Sequence, residues 1–446
     1  GDASTIDEVV STMSAARFVN LSGSSATCAY AKIILELRWN GQQPDGLGER
    51  RAAGDPPGEI SVLCRGATDN AYIVQQSVLT RTPASPAADR RNAASRSAAL
   101  LLRALAQTDD ELLSRTPNNV TVLSDQGMIA RSVNATVASV AVSAAAVVRR
   151  ASRPIWRDDA WELQYRTTPT DFVANSSPIN ANGFKAYRGD YDRFFADCVA
   201  FTHNEIDAVF FEEFPYALRR GVISCAVLQA NGELGPPQRV LEQPYHLSYP
   251  FVFRDGEHIY MVPESSGNRT VDLYECTAFP HQWTFRQTLL ENISATDATL
   301  HHDGTRWWMF ATVGEQGAYG WDELHLFFAD TLTSEWQSHA NNPVKCDAKS
   351  ARPAGPLFRK NGRLLRPTQD CSASYGGAVN LCEVEELSPT EFREKIVDRI
   401  DPALFPGMNG LHTLTASHGI EVVDVRPAKR WRWEPGTVGT RATNTE

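Results

Sequence analysis

Asp197, His246 with Tyr249, Asp297, Arg352 and His412 each stand at the start of a short hydrophobic run in the C-terminal part of this 446-residue chain. A second set closes the run that follows: Glu212 with Glu213, Glu264, and Gln369 with Asp370. Carboxylates gathered with His and Arg are the groups of acid–base chemistry on sugars. One carboxylate works ionised as base or nucleophile, and another is held protonated by burial and by like charges. An Arg beside them takes a phosphate or carboxylate through two parallel hydrogen bonds. On this reading Asp197 is the base, Glu264 the acid and Asp297 the group that tunes them. Glu213, His246, Tyr249, Arg352, Gln369, Asp370, Tyr375 and His412 bind the substrate. Adjacent residues of a strand face opposite ways, so only one of Glu212 and Glu213 can share the site, and Glu213 is the one placed there. Tyr249, Trp307, Trp308 and Tyr375 offer faces for sugar rings, although Trp307 and Trp308 alternate sides, which puts at least one ring in a core. Each Asp also has a blander reading as a turn or blade-to-blade hydrogen-bonding residue. Arg352 and Asp370 have one too, as a structural ion pair within one blade.

The elements that must position these groups repeat. The segments FFADCVAFTHNEIDAVFFEEF, YPFVFRDGEHIYMVPESS, TDATLHHDGTRWWMFATV, AGPLFRKNGRLLRPTQDCS and LHTLTASHGIEVVDVR each read as strand, turn, strand. Their landmarks Asp197, Tyr249, Asp297, Ala354 and His412 lie 52, 48, 57 and 58 residues apart. Such a period in strand-rich sequence predicts a radial array of blades, and five copies predict a five-bladed β-propeller. In a blade the first strand lines the central channel and the second runs back. The start of one and the end of the other therefore lie at the same mouth, and the two sets of polar residues converge there. The last copy is short of strands, so WELQYRTT at Trp161–Thr168 is expected to complete it and remove an open sheet edge.

Composition sets the outer bounds. Apolar residues make up 42% and charged residues 22%, as in an ordinary globular protein. A net charge of -10 argues against nucleic acid or an anionic membrane as the partner. Eight cysteines include no C-x-x-C pair, so neither a zinc ribbon nor a thioredoxin-type centre is expected. Residues 1–150 read as a small α/β region. AKIILELRWNG and EISVLCRG are strands, Arg91–Gln107 is an amphipathic helix, and the Ala/Val-rich stretch ending at Arg150 is a second helix. Its most apolar part, Val133–Val148, is shorter than the roughly 20 residues of a bilayer span and flanked by Arg, so no transmembrane segment is expected. The Asp190-Tyr191-Asp192 triplet has the form of a metal-binding D-x-D but no Rossmann-like setting, and no metal is assigned to it. Six N-x-S/T triplets are compatible with a secretory route and carry little weight. With no initiator Met, the chain reads as a candidate fragment of a longer protein. Residues 156–430 are expected to form the ring, and 431–446 a disordered tail.

Several strings add a resemblance. FFADCVAF, FFEEFPYALRRGVIS, YHLSYPFVFRDGEHIYMVPESS, NNPVKCDAKSARPAGPLFRKNGRLLRPTQDCSASYGG and GLHTLTA resemble the propeller domain of the glucosamine inositolphosphorylceramide transferase N-terminal type, found in plant and bacterial proteins. The match runs over about residues 185–425. The resemblance implies an all-β, glycosidase-like five-bladed propeller preceded by a small α/β region, working in glycan or glycolipid assembly with a carbohydrate or glycolipid ligand. It leaves three activities open: sugar transfer to a glycan or lipid-linked acceptor, glycoside hydrolysis by the funnel carboxylates, and recognition of a glycan without catalysis. Bacterial members often carry a formyltransferase-like region ahead of the propeller, which makes residues 1–110 a candidate remnant. The Ser-Leu-Leu-Pro-type signature of that chemistry is absent, so formyl transfer is not expected. The plant members' separate C-terminal glycosyltransferase domain has no counterpart here, and Ala196-Asp197-Cys198 replaces their usual Ala-Asp-Pro. No cofactor is named by any motif, and a cytoplasmic setting is expected if the chain is bacterial.

Overall fold

The computed structural model describes residues 17–20, 33–39, 58–65, 71–79, 96–105, 156–157, 160–167, 181–314, 320–428 and 430–431. The expected second helix and almost all of the tail fall outside these residues. Five four-stranded antiparallel units follow one another around a ring. Blade one is Arg193–His203, Ile206–Pro215, Val222–Val227 and Gln238–Leu241, counted outward from the channel. Blade two is Ser248–Asp255, His258–Ser265, Thr270–Ala278 and Gln282–Glu291. Blade three is Ala295–His302, Trp307–Val313, Glu323–Ala329 and Gln337–Ser338, with Lys345–Cys346 also on its third strand. Blade four is Phe358–Lys360, Arg363–Gln369, Val379–Leu387 and Phe392–Ile400. Blade five joins Met408–Ser417 and Ile420–Pro427 to the earlier strands Glu162–Thr167 and Lys185–Tyr187. Val423 stands opposite Gln164 and Leu163 opposite Tyr187, so the two ends of the ring are stitched by backbone hydrogen bonds.

Each blade is sandwiched between two others, which is why its central strands read as unbroken apolar runs rather than alternating ones. Along Ile206–Pro215, Phe211 packs with Leu163, Phe195 and Ile420 towards blade five, while Phe210 packs with Val252 and Met261 towards blade two. Trp307 joins Phe253 and Tyr260 of blade two, and Trp308 joins Leu357 and Phe392 of blade four. Leu365, Leu381, Leu411 and Val425 fill the junction of blades four and five. Five apolar clusters thus occupy five blade junctions, and the ring closes on itself. At about 25 cal/mol per Å2 each large buried side chain contributes on the order of 2 kcal/mol, and these clusters are the main source of stability.

The first-to-second-strand turns carry the residues their geometry demands. Asn361-Gly362 and His418-Gly419 have positive φ at both positions, as the tight hairpin turn requires. Ahead of the ring lies a four-stranded sheet, Arg17–Asn20, Ile33–Trp39, Gly58–Arg65 and Ala71–Leu79, its first pair parallel, with a helix over 96–105. Leu100 and Ala104 of that helix pack on Ile60, Val62 and Leu79. Among the described residues no helix is long and apolar enough to cross a membrane.

Candidate functional site

One device repeats in the inner strands and explains the landmark spacing. In blades one, two, three and five, two residues of the inner strand oppose a single residue of the next strand. The bulged pairs are Asp197-Cys198, Tyr249-Pro250, Asp297-Ala298 and His412-Thr413. Such a bulge kinks the strand and re-aims a side chain. Asp197, Tyr249 and Asp297 adopt φ of 53°, 39° and 53° there, a region that Asp tolerates better than most residues. Four of the five landmarks read from sequence, Asp197, Tyr249, Asp297 and His412, are therefore the first residues of these bulges, and the fifth, Ala354, is not.

The carboxylates they present are deeply buried. Arg352 grips Asp297 through both oxygens, Nε to Oδ2 at 2.5 Å and Nη2 to Oδ1 at 3.1 Å, and Gln369 Nε2 donates to the same Oδ2 at 3.0 Å. This fork commits Asp297 to holding Arg352. The Arg352 guanidinium also lies 5.1 Å over the Tyr375 ring. Across the channel His412 is stacked on Trp161 at 3.8 Å between centroids and pairs through Nδ1 with Asp424. Its Nε2 faces Asp197 Oδ1 at 3.6 Å. Asp424 further accepts the amides of Asp197, His412 and Thr413 at 2.7, 3.2 and 2.7 Å. Asp197, His412 and Asp424 offer ligand atoms within 4.8 Å of one another, the spacing of a metal site. Asp424 already takes four protein donors on its two oxygens, so the trio reads as a brace that fixes the bulge and the imidazole. Asp197 Oδ1 is left buried without a hydrogen bond, 3.6 Å from His412 Nε2.

Burial and charge set the protonation states. Burial pushes the Asp197 carboxyl up to about 7, with Asp297 and Asp424 adding to the rise and His412 and Arg352 opposing it. Glu212 is raised well above the ordinary range by burial and by the fields of Asp197 and Glu264. Burial also raises Asp297, against the pull of Arg352. For His412 burial works downward, but Asp424 and Asp197 outweigh it and the imidazole is raised. His246 at the rim is lowered by burial. Carboxyls whose environments push them apart are the raw material of acid–base catalysis.

The placement of the other sequence candidates is mixed. Glu264 lies in the group, held by Ser248 Oγ at 2.7 Å and by the Ser266 hydroxyl. His246, 39% exposed, sits 3.6 Å from Glu212 and accepts the Gly221 amide at 2.8 Å. Glu213 is turned the other way: it accepts Ser224 Oγ at 2.5 Å and pairs with Arg193, and its neighbour Glu212 takes the channel side. Tyr249 is fully buried with its hydroxyl 2.8 Å from Thr299 Oγ1, a spoke of the ring rather than a platform for a sugar. Both Trp307 and Trp308 belong to blade cores for the packing reason given above. Arg352 and Asp370 do not pair. Asp370 bonds Ser372 and Arg399 at the edge of the group instead. Asp192 of the D-x-D triplet pairs with Arg193 at the surface.

Comparison with known proteins places this ring. The family model described as glucosamine inositolphosphorylceramide transferase 1, N-terminal, matches residues 153–412. The chain belongs to this family. Curated relatives are the glucosamine inositolphosphorylceramide transferase 1 proteins of Oryza sativa subsp. japonica, 33% identical over 205 residues, and Arabidopsis thaliana, 28% identical over 249. These matches cover 45% and 54% of this chain but only 27% and 31% of the relatives, so the chain spans about a third or less of their length. Among solved structures, a family 117 glycoside hydrolase from Zobellia galactanivorans covers 60% of this chain and 91% of its own at 10% identity and a TM-score of 0.39. An exo-beta-1,3-galactanase from Clostridium thermocellum covers 55% and 62% at 12% identity and 0.38. The strand order, not these scores, establishes the propeller.

Three members of the site lie outside the sequence candidates. Glu212 aligns with Glu264 once the copies are laid in register, since Ala196 faces Glu212 as Ser248 faces Glu264. Asp424 shares the buried strand IEVVDVR with Glu421, which Arg166 meets at 2.8 Å; two carboxylates inside such a strand are a signal in themselves, because buried charges need buried partners. Trp161 carried no signal of its role as the platform under His412.

Proposed function

We propose that the ring of this family member takes up a sugar-bearing ligand at the channel mouth and acts in the assembly of a glycan or glycolipid. What supports this reading is that Asp197, Glu212, Glu264, Asp297, Arg352 and His412 are all buried and feel one another's charge, in a ring whose family relatives are named as transferases of glucosamine inositolphosphorylceramide type. In this role Asp197, poised near neutrality with a bare oxygen, accepts a proton from an acceptor hydroxyl. Glu212, kept protonated, donates one to the departing oxygen. Arg352 and Asp297 hold the field in which both operate, and His246 and Tyr375 border the entrance. Glu264, fixed by two serine hydroxyls, binds ligand hydroxyls.

The same pair of carboxyls also suits hydrolysis of a glycosidic bond, with water in place of the acceptor. One screen separates the readings. Nucleotide sugars, lipid-linked glycans and oligosaccharides are offered to wild type and to Asp197→Asn, and products are followed by mass spectrometry. Sugar appearing on an acceptor supports transfer, free sugar supports hydrolysis, and binding without turnover supports recognition alone. Equal binding and turnover by wild type and Asp197→Asn contradicts a site at this mouth.

A further inference from the structure

The seat of Arg352 is built from two loops, and both are gripped from outside the ring. One is the segment 320–323 leading into the third strand of blade three. Gly320 O accepts Arg352 Nη1 at 3.3 Å together with the hydroxyls of Thr296 and Thr312, each at 2.7 Å. Trp321 packs 6.0 Å from Tyr375, the ring beneath the Arg352 guanidinium. The other is 347–352, which ends in Arg352 itself. Fully buried Arg366 bonds Ser350 O at 2.6 Å and Ala351 O at 3.3 Å, and Cys371 N donates to Ala348 O at 2.8 Å. The loops are joined by Asp347 N donating to Asp322 O at 2.9 Å.

The N-terminal sheet and helix reach both loops. Val78 of the strand Ala71–Leu79 accepts the Ala348 amide at 3.0 Å and forms a parallel bridge with Asp347. Helix residue Arg96, 2% exposed, pairs with Glu323 and with Asp322 at 2.7 Å. Arg103, about two turns further along the same face, clasps both oxygens of Glu323 at 2.8 and 2.9 Å and touches Cys346 Sγ at 3.1 Å. Cys346 in turn packs on the apolar cluster of Ile60, Val62, Cys64 and Leu79. Two buried acids that follow Gly320 and Trp321 thus have their charges met by a helix distant in sequence. Glu323 also faces His325 Nε2 at 3.8 Å, but removing the helix would take two arginine charges away from a buried acidic pair, a costly change.

We infer that the N-terminal layer is part of the site's machinery, with Arg96 and Arg103 as positioning residues that hold Asp322 and Glu323 and so fix Arg352 against Asp297. This goes beyond the proposed activity, because the coupling exists whatever ligand the mouth takes. It also gives the α/β region a role in the propeller's function rather than that of an independent neighbour.

The test uses the full chain and needs no ligand. Amide hydrogen exchange is read by mass spectrometry in wild type, Arg96→Ala and Arg96→Lys. In Arg96→Ala, segments 320–323 and 347–352 are expected to lose protection by tenfold or more while 206–215 and 258–265 keep theirs. Arg96→Lys, which retains the charge, is expected to recover part of it. A second readout is the imidazole titration of His412 by NMR, which sees Asp424, Asp197 and Arg352. Arg352 opposes protonation of His412, so its displacement in Arg96→Ala moves that titration to higher pH. Unchanged exchange in both segments and an unchanged His412 titration overturn the inference. If Arg96→Ala does not fold, Arg103→Ala and Glu323→Gln carry the same comparison, with the same two outcomes.

Discussion

Asp197→Asn separates the demands of a working site from those of a stable fold. Asn matches Asp in size and tolerates the φ of 53° found there, so the bulge and its backbone bond to Asp424 survive. What changes is the charge. Burial leads the rise of Asp197 from an ordinary 3.8 to about 7. At about 1.4 kcal/mol for each tenfold change in proton affinity, that rise corresponds to on the order of 4 kcal/mol. Between pH 4 and 7 the folded chain holds a proton that the unfolded chain has released, so stability falls as pH rises through this window. The stabilisation is fully present below about pH 4 and lost above about pH 7. The Asn variant carries no such dependence. Thermal unfolding of both proteins at pH 3.5 and pH 8 reads the difference. At roughly 2 °C per kcal/mol for a domain of this size, the variant melts about 5 °C or more above wild type at pH 8 and close to it at pH 3.5. A variant that melts below wild type at pH 8, or by the same margin at both pH values, refutes the argument that this carboxylate is held under strain.

Other substitutions probe the frame. Glu394 is buried between Arg366 and Lys345 and, despite a burial that works upward, is held down at about 2. Its contribution is present above about pH 4.5 and lost as pH falls towards 2, the opposite sign to Asp197. Glu394→Gln is therefore expected to cost about 3–5 kcal/mol at pH 7 and to flatten the acid limb of a stability–pH curve measured by urea unfolding. Gly355 has φ of 135°, and a Cβ there would lie 2.1 Å from Leu414 O. Gly355→Ala should lose about 3 kcal/mol or more at the junction of blades four and five, seen as a lowered urea midpoint. Asp424→Asn turns an amide N–H towards donors that now meet an oxygen. Destabilisation of about 2–4 kcal/mol is expected, with His412 titrating at lower pH by NMR.

The fold was legible because two signals of different kind agreed. The repeat period came from the strands, and the deficit in the last copy matched the orphan strand WELQYRTT, which pairs with Ile420–Pro427. Convergence of strand starts and strand ends follows from topology alone, and it groups Asp197, Glu264, Asp297, Arg352 and His412 without any local motif. Alternation within a strand says that two neighbours face apart but not which one faces the channel. That depends on the bulge upstream, and so Glu213 was chosen where Glu212 stands. Tyr249 failed as a platform for a related reason: the same bulge directs it to Thr299 across the blade junction. Arg352 and Asp370 looked like partners from proximity in sequence. The fork of Arg352 is instead met by Asp297 from the preceding blade, an inter-blade contact that no local pattern encodes.

The central claim is that one mouth of this ring holds the ligand. A crystal structure of the full chain with the best binder from the sugar screen tests it most directly. The account predicts ligand density within hydrogen-bonding distance of Asp197 and Glu212, bordered by His246 and Tyr375. A groove lined by His301, Arg359, Glu383 and Arg393 lies between blades three and four, at the turns that end their inner strands. Density there, with the mouth around Asp197 unchanged, would contradict the account.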